Sequence, residues 1–254
     1  MTKPKKQPAC SECITVEAGY NPGSLAALPN LYHVLKSGGE FETGDLITPE
    51  RERSTLLLPV DELQERVKEL ERLIQYRPRE NLLAVDACGN VIMHTVGAVD
   101  HVSMNTGYWN AAEVITHNHP SGATLSGTDI SQLFNTKCPE IRACAGGLWY
   151  SIRKDDECGN HNPAEIEQEF SELLHLVDVE ALTDATENNG LETVIDEEKQ
   201  TCAPIQPGSM TYAEFRQRAE QARGEHRILR VVRLHLALKE HTPEVNLIYK
   251  AGEL

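Results

Sequence analysis

No run of about 18 apolar residues occurs in this 254-residue chain, which excludes a transmembrane helix of ordinary length. The basic opening MTKPKKQPACSEC is followed by no apolar stretch, so a secretory signal is not expected and a cytoplasmic protein is the default reading. The seven cysteines, at 10, 13, 88, 138, 144, 158 and 202, are odd in number and irregular in spacing, which argues against a disulfide framework. Cys10 and Cys13 form a CxxC, but no second CxxC completes a four-thiolate zinc site; a pair of free thiols is the plain reading. Basic residues are almost missing from one stretch. Residues 155–199 hold fifteen Asp and Glu against a single Lys, so nearly all of the net charge of −15 lies there. The rest of the chain is close to neutral, a field that gives no general affinity for nucleic acid.

What is present is an ordinary globular composition, 40% hydrophobic and 25% charged. Residues 1–55 are rich in Gly, Pro and polar side chains and read as an irregular arm, with at most one short element at 25–35. The spacing of Leu63, Val67, Leu70 and Ile74 predicts an amphipathic helix over 61–75, with Asp61 as N-cap and Gln64 completing a capping box. Residues 81–86 and 91–96 flank the turn signal 87–90 and predict a β-hairpin. A third strand is expected at 99–104, and a strand at 113–116 that runs into His117. A helix should begin near Thr128, and strands at 141–145 and 148–152 should flank Gly146 and Gly147. This order predicts a mixed sheet with helices and no repeated βαβ unit.

Towards the C-terminus, residues 164–179 predict an acidic helix and 182–208 a linker. Thr211 and Glu214 form a capping box for a helix over 211–240, with apolar positions Phe215, Ala219, Ala222, Leu229, Val232 and Leu236 and a basic stripe of Arg216, Arg223, Arg227 and Arg230. A last strand is expected at 245–249. The acidic segment is either a solvated surface or a cover for that basic stripe. His94 and His101 read as packing or surface residues, Trp109 and Trp149 as core. Cys158 with His161 is an incidental metal echo.

The chemistry lies in Thr116-His-Asn-His-Pro-Ser-Gly-Ala-Thr-Leu-Ser-Gly-Thr-Asp-Ile130. Two histidines at i and i+2 on an extended segment face the same way, so His117 and His119 can reach one ion. Pro-Ser-Gly then turns the chain and Asp129 opens the next helix. Two imidazoles and a carboxylate are a suitable set for a catalytic zinc, which takes three protein ligands and keeps a position for water.

The pattern HNHPSG followed by SGTD resembles the JAB/JAMM (MPN-like) metalloprotease signature, and within it the RadC-like and phage-associated bacterial branch. The resemblance covers residues 60–153. It implies an α/β, cytidine-deaminase-like fold: a mixed β-sheet flanked by helices over 56–155, preceded by the arm. An acidic helix and linker at 156–210 and a C-terminal helical extension at 211–254 would follow. It implies one Zn2+ per chain on His117, His119 and Asp129. Ser126 would hydrogen-bond the metal's water or the oxyanion, and an upstream glutamate would be the general base. Glu80 is the candidate by element order, against the bland reading of a surface carboxylate; Ser126 is equally suited to be the helix N-cap. Six residues separate His119 from Ser126, one fewer than in the commonest form of the motif and similar to phage-associated members. The Glu80–His117 interval is also shorter than in RadC-like proteins, as if the helix before the metal strand were nearly absent.

The activity implied is hydrolysis of an amide bond in a polypeptide or ubiquitin-like protein substrate, by water activated on zinc, with no membrane partner. A non-catalytic MPN-type scaffold is the second expectation, discriminated by whether a carboxylate accompanies the metal ligands. A RadC-like DNA-repair or mobile-element role is the third, and nucleic acid suits the charge poorly. The oligomeric state is not legible.

Overall fold

Helix α1 (Val60–Ile74) forms because Leu63, Val67, Leu70 and Ile74 recur at helical spacing, and all four are buried. Its N-cap is Pro59, with no side-chain cap bond. The expected Asp61–Gln64 capping box is therefore not made: Asp61 sits inside the first turn, where its charge suits the helix dipole. The Gln64 amide instead reaches Glu140 and Arg142. The computed structural model describes residues 40–254 apart from 104, 156, 157, 160 and 197–200. Cys10, Cys13, the 25–35 element and most of the 1–55 arm lie outside the described residues.

The described chain divides into two compact units. The first holds the residues up to Ala123, Thr136–Arg153 and Ala251–Leu254. Its strands are β1 (Asn81–Val85), β2 (Val91–Val96), β3 (Val114–Asn118), β4 (Glu140–Ala145) and β5 (Leu148–Lys154). They lie with β8 (Leu247–Glu253) in one six-stranded sheet of order β2-β1-β3-β4-β5-β8. Only the end of β8, from Ala251, belongs to this unit. The sheet is mostly antiparallel: β1 pairs so with both β2 and β3, and β4 with β5, while β3 and β4 run parallel. The hairpin expected at 81–96 is present. The strand expected at 99–104 is not: no described residue of that stretch is extended in a sheet. Helix α2 (Thr106–Ala111), capped by Asn105, is a short helix that precedes β3.

Alternation sorts the sheet into two faces. Leu83, Val85, Val114 and Cys144 join Leu63, Val67, Leu70, Leu73 and Ile74 of α1 in one buried cluster, with Phe41 and Leu46 from the described end of the arm. On the same face lies a buried polar network. Arg142 and Glu71, both fully buried, form a bidentate pair through Nε–Oε1 (2.7 Å) and Nη2–Oε2 (2.6 Å). Thr116 donates to Glu71 Oε1 (2.8 Å) and Arg142 Nη1 donates to Gln64. Burial opposes the Arg142 charge, but the Glu71 and Glu140 carboxylates outweigh it and hold its pKa above the ordinary value. The Arg142 guanidinium lies 4.3 Å from the Trp149 ring centroid. Trp149 is thus a half-buried lid over a cation, whereas Trp109 is core as expected.

The second unit holds Thr124–Asn135 and Lys154–Lys250. It contains α3 (Gly127–Asn135), α4 (Pro163–Asn188), the hairpin β6 (Glu192–Asp196) with β7 (Thr201–Ile205), and α5 (Tyr212–His241). The acidic helix is longer than the sequence suggests, and the expected 182–208 linker is partly this hairpin. Pro204 read as a loop signal, but a two-stranded hairpin has free edges, where proline is tolerated. The Thr211–Glu214 capping box is made as expected. The buried face of α5 is Ala222, Leu234, Ala237 and Leu238, whereas Val232 and Leu236 are exposed. The acidic helix meets the basic one: Asp178 binds His226 (2.9 Å) and Arg230 (3.0 Å), and Asp184 binds Arg233. Such half-exposed pairs contribute about 0–1 kcal/mol each, and of the expected basic stripe only Arg230 is covered by them. No helix among the described residues is long and apolar enough to cross a membrane.

Candidate metal centre

Strand β3 ends at Asn118, and the chain then turns sharply. His119 N–H donates to the Cys144 carbonyl (3.0 Å), and Gly122 N–H closes the turn onto the His119 carbonyl (3.0 Å). Gly122 has φ +78°, a conformation that favours glycine, which explains the Pro-Ser-Gly spelling. The His119 ring contacts the Ala123 carbonyl through Nδ1 (3.2 Å). A carbonyl only accepts, so Nδ1 carries the proton and Nε2 presents a lone pair. The Nε2 atoms of His117 and His119 are 2.8 Å apart. That is hydrogen-bond distance, and with the His119 proton on Nδ1 the His117 Nε2–H is the donor.

Asp129 stands in the first turn of α3. Its Oδ2 accepts from Ser126 N–H (2.8 Å) and Ser126 Oγ–H (2.6 Å), and its own N–H donates to Ser126 Oγ (3.1 Å). This is a capping box with Asp in the usual Glu place. Ser126 is therefore the helix cap and fixes the carboxylate's orientation, while its hydroxyl is engaged with Asp129. Gly127 next to it allows close packing of α3 on α4, since a methyl there would lie 2.7 Å from the Glu167 carbonyl. One ligand atom from each of His117, His119 and Asp129 lies within 4.8 Å of the others. This is the sole such cluster of three or more His, Cys, Asp or Glu among the described residues. Two imidazole nitrogens and a carboxylate oxygen at that spacing fit a zinc ion with an open fourth position.

Glu80 lies just before β1 and is buried, so it is not a surface carboxylate. The antiparallel register pairs Leu82 with His117. Glu80, two residues before Leu82, falls by alternation on the side of the sheet that Leu82 shares with its partner His117. Both backbone groups of Glu80 are paired, its N–H with Ala98 and its C=O with Gly97 (2.8 Å each). Glu113 stands just before β3, at the end away from His117, and pairs with Arg153 (3.2 Å). His101 is exposed beside Asp100. Cys158 and His161 do not converge: the thiol faces backbone carbonyls, and the imidazole packs edge-on to Phe134.

His94 is fully buried. Its Nδ1 accepts from Leu46 N–H (3.3 Å), which makes Nε2–H the donor to Asn81 Oδ1 (3.1 Å). Burial lowers its pKa to about 4, only partly opposed by the Asp45 carboxylate. A histidine held neutral in the fold but protonated in the unfolded chain contributes stability above its ordinary pKa near 6.5, and this is lost as pH falls towards 4. Unfolding free energy should drop by about 3 kcal/mol across that window from His94 alone. Urea titrations from pH 7 to 4 should show a shallower decline in H94Q. An unchanged pH slope in that variant would contradict the assignment.

The sequence did not point to Asn81, Asn118 or the Glu71–Arg142 pair. Asn118 stood inside the histidine motif, and strand alternation alone turns it away from the metal face; the others depend on pairing between distant segments. Comparisons with protein-family models, curated proteins and solved structures find no match to this chain.

Proposed function

We propose that this protein is a zinc-dependent amide hydrolase of the JAB/JAMM type, acting on a peptide or isopeptide bond. The observation that carries the reading is the convergence of His117, His119 and Asp129, with a buried glutamate two residues before Leu82, the strand partner of His117. The mixed sheet, with α1 on one face and the metal motif at the end of a central strand, supports the JAB/MPN-like fold. Zinc, when bound, supplies Lewis acidity and brings the pKa of water from 15.7 to about 7. The chain's own residues do the rest. His119 is held in one tautomer by Ala123, and Asp129 is oriented by Ser126. Glu80 takes the proton from the attacking water and delivers it to the departing amine.

The test is cleavage of a peptide and isopeptide library by the zinc-loaded protein. Cleavage that stops with a chelator, returns with zinc and is missing in D129A is expected. A zinc-loaded, folded protein that cleaves neither bond type leaves the scaffold reading as the better one.

A further inference from the structure

One side chain from the metal strand holds the segment on both sides of Glu80. Asn118 lies between His117 and His119, and alternation turns it to the opposite side of β3. Its Nδ2 donates to the carbonyls of Arg77 (3.1 Å) and Arg79 (3.2 Å), and its Oδ1 accepts the Asn81 N–H (2.7 Å). The residues on either side of Glu80 are therefore bound to one amide. That amide's orientation is fixed by its partners, since only the nitrogen end can face carbonyls. Asn81 tightens the arrangement: its Nδ2 donates to the Arg79 carbonyl (2.8 Å) and its Oδ1 accepts from His94. Asn118 and His94 are fully buried and Asn81 nearly so.

The network is larger than strand pairing requires. The β1–β3 ladder already pairs Leu82 with His117 through Val85 with Val114; the Asn118 amide extends the connection past the end of that ladder, to the stretch where Glu80 sits. We propose that Asn118 is a positioning residue, which ties Glu80 to the strand that carries His117 and His119 and so holds its carboxylate at the metal. This rests on the reading of the triad and Glu80 given above. Asn81 assists it by gripping the same stretch of backbone.

The two ideas separate in a double-mutant cycle read on zinc affinity, measured by competition with a chromogenic chelator for wild type, E80Q, N118A and the double variant. Removing a carboxylate held beside the ion weakens zinc by about tenfold. N118A alone should weaken it by a similar factor, yet by less than about twofold in the E80Q background, the limit for independent effects. An equal factor in both backgrounds, or no effect in either, overturns the proposal, because Asn118 then acts on the histidine strand or on nothing at the metal. N81A, run in the same cycle, should repeat the pattern and carries the test if N118A does not fold. Loss of folding in both variants assigns the amides to the fold and overturns the proposal. A wild type that binds no zinc, or binds it equally in a His117→Ala, His119→Ala variant, overturns the metal reading beneath, a result the cycle distinguishes.

Discussion

Glu80→Gln, loaded with excess zinc, should cleave a substrate of the wild-type protein about 10²–10⁴-fold more slowly, the usual contribution of a positioned proton carrier. The amide keeps the size and much of the hydrogen bonding of the carboxylate but cannot accept the water's proton at neutral pH. Glu80 is buried, and its backbone is pinned by Ala98 and Gly97, so the substitution should leave the fold intact. The loss should appear mainly in kcat, as expected of a group that handles the proton rather than binding substrate. Steady-state rates at matched zinc loading provide the measurement. A rate within a few-fold of wild type would remove Glu80 from the chemistry and leave the base to be found elsewhere.

Glu71→Ala should destabilise the protein by about 3–5 kcal/mol, because it strands the fully buried Arg142 without its bidentate partner. Gln64 and Glu140 remain beside the guanidinium, but neither replaces two charge-assisted bonds of 2.6 and 2.7 Å. Replacing both members, as in E71L with R142M, should cost far less, because no charge is left buried alone. Urea denaturation at neutral pH compares the three proteins. A single-variant loss below about 1 kcal/mol would mean that water reaches Arg142. The pair fastens α1 to β4, and Thr116 adds β3, so it also sets the strand that leads into His117 from the face opposite that side chain.

Much of the candidate site's geometry was legible because it is local. His117, His119, Ser126 and Asp129 occupy a stretch in which strand alternation, a proline turn and a helix start dictate where each side chain goes. The α1 face was equally readable, since four apolar residues at helical spacing have only one way to be buried. Other features depended on competition between distant groups. Gln64 forgoes its capping role because Glu140 and Arg142 offer it stronger partners. Val232 and Leu236 fit the helical period of α5, yet the buried stripe runs through Leu234 and Leu238; periodicity gives a stripe's width but not which neighbour selects it. Pro204 reads as a break in isolation and is accommodated in a free-edged hairpin. Asn118 resembles a spacer in the motif, and its partners are fixed only when β1 pairs with β3.

The central claim is that His117, His119 and Asp129 hold a zinc ion, and metal content measured by mass spectrometry on purified protein tests it most directly. About one zinc per chain is expected in wild type, and none in a folded His117→Ala, His119→Ala variant. A well-folded wild type that carries no zinc, even after zinc is added back and the excess removed, would contradict it.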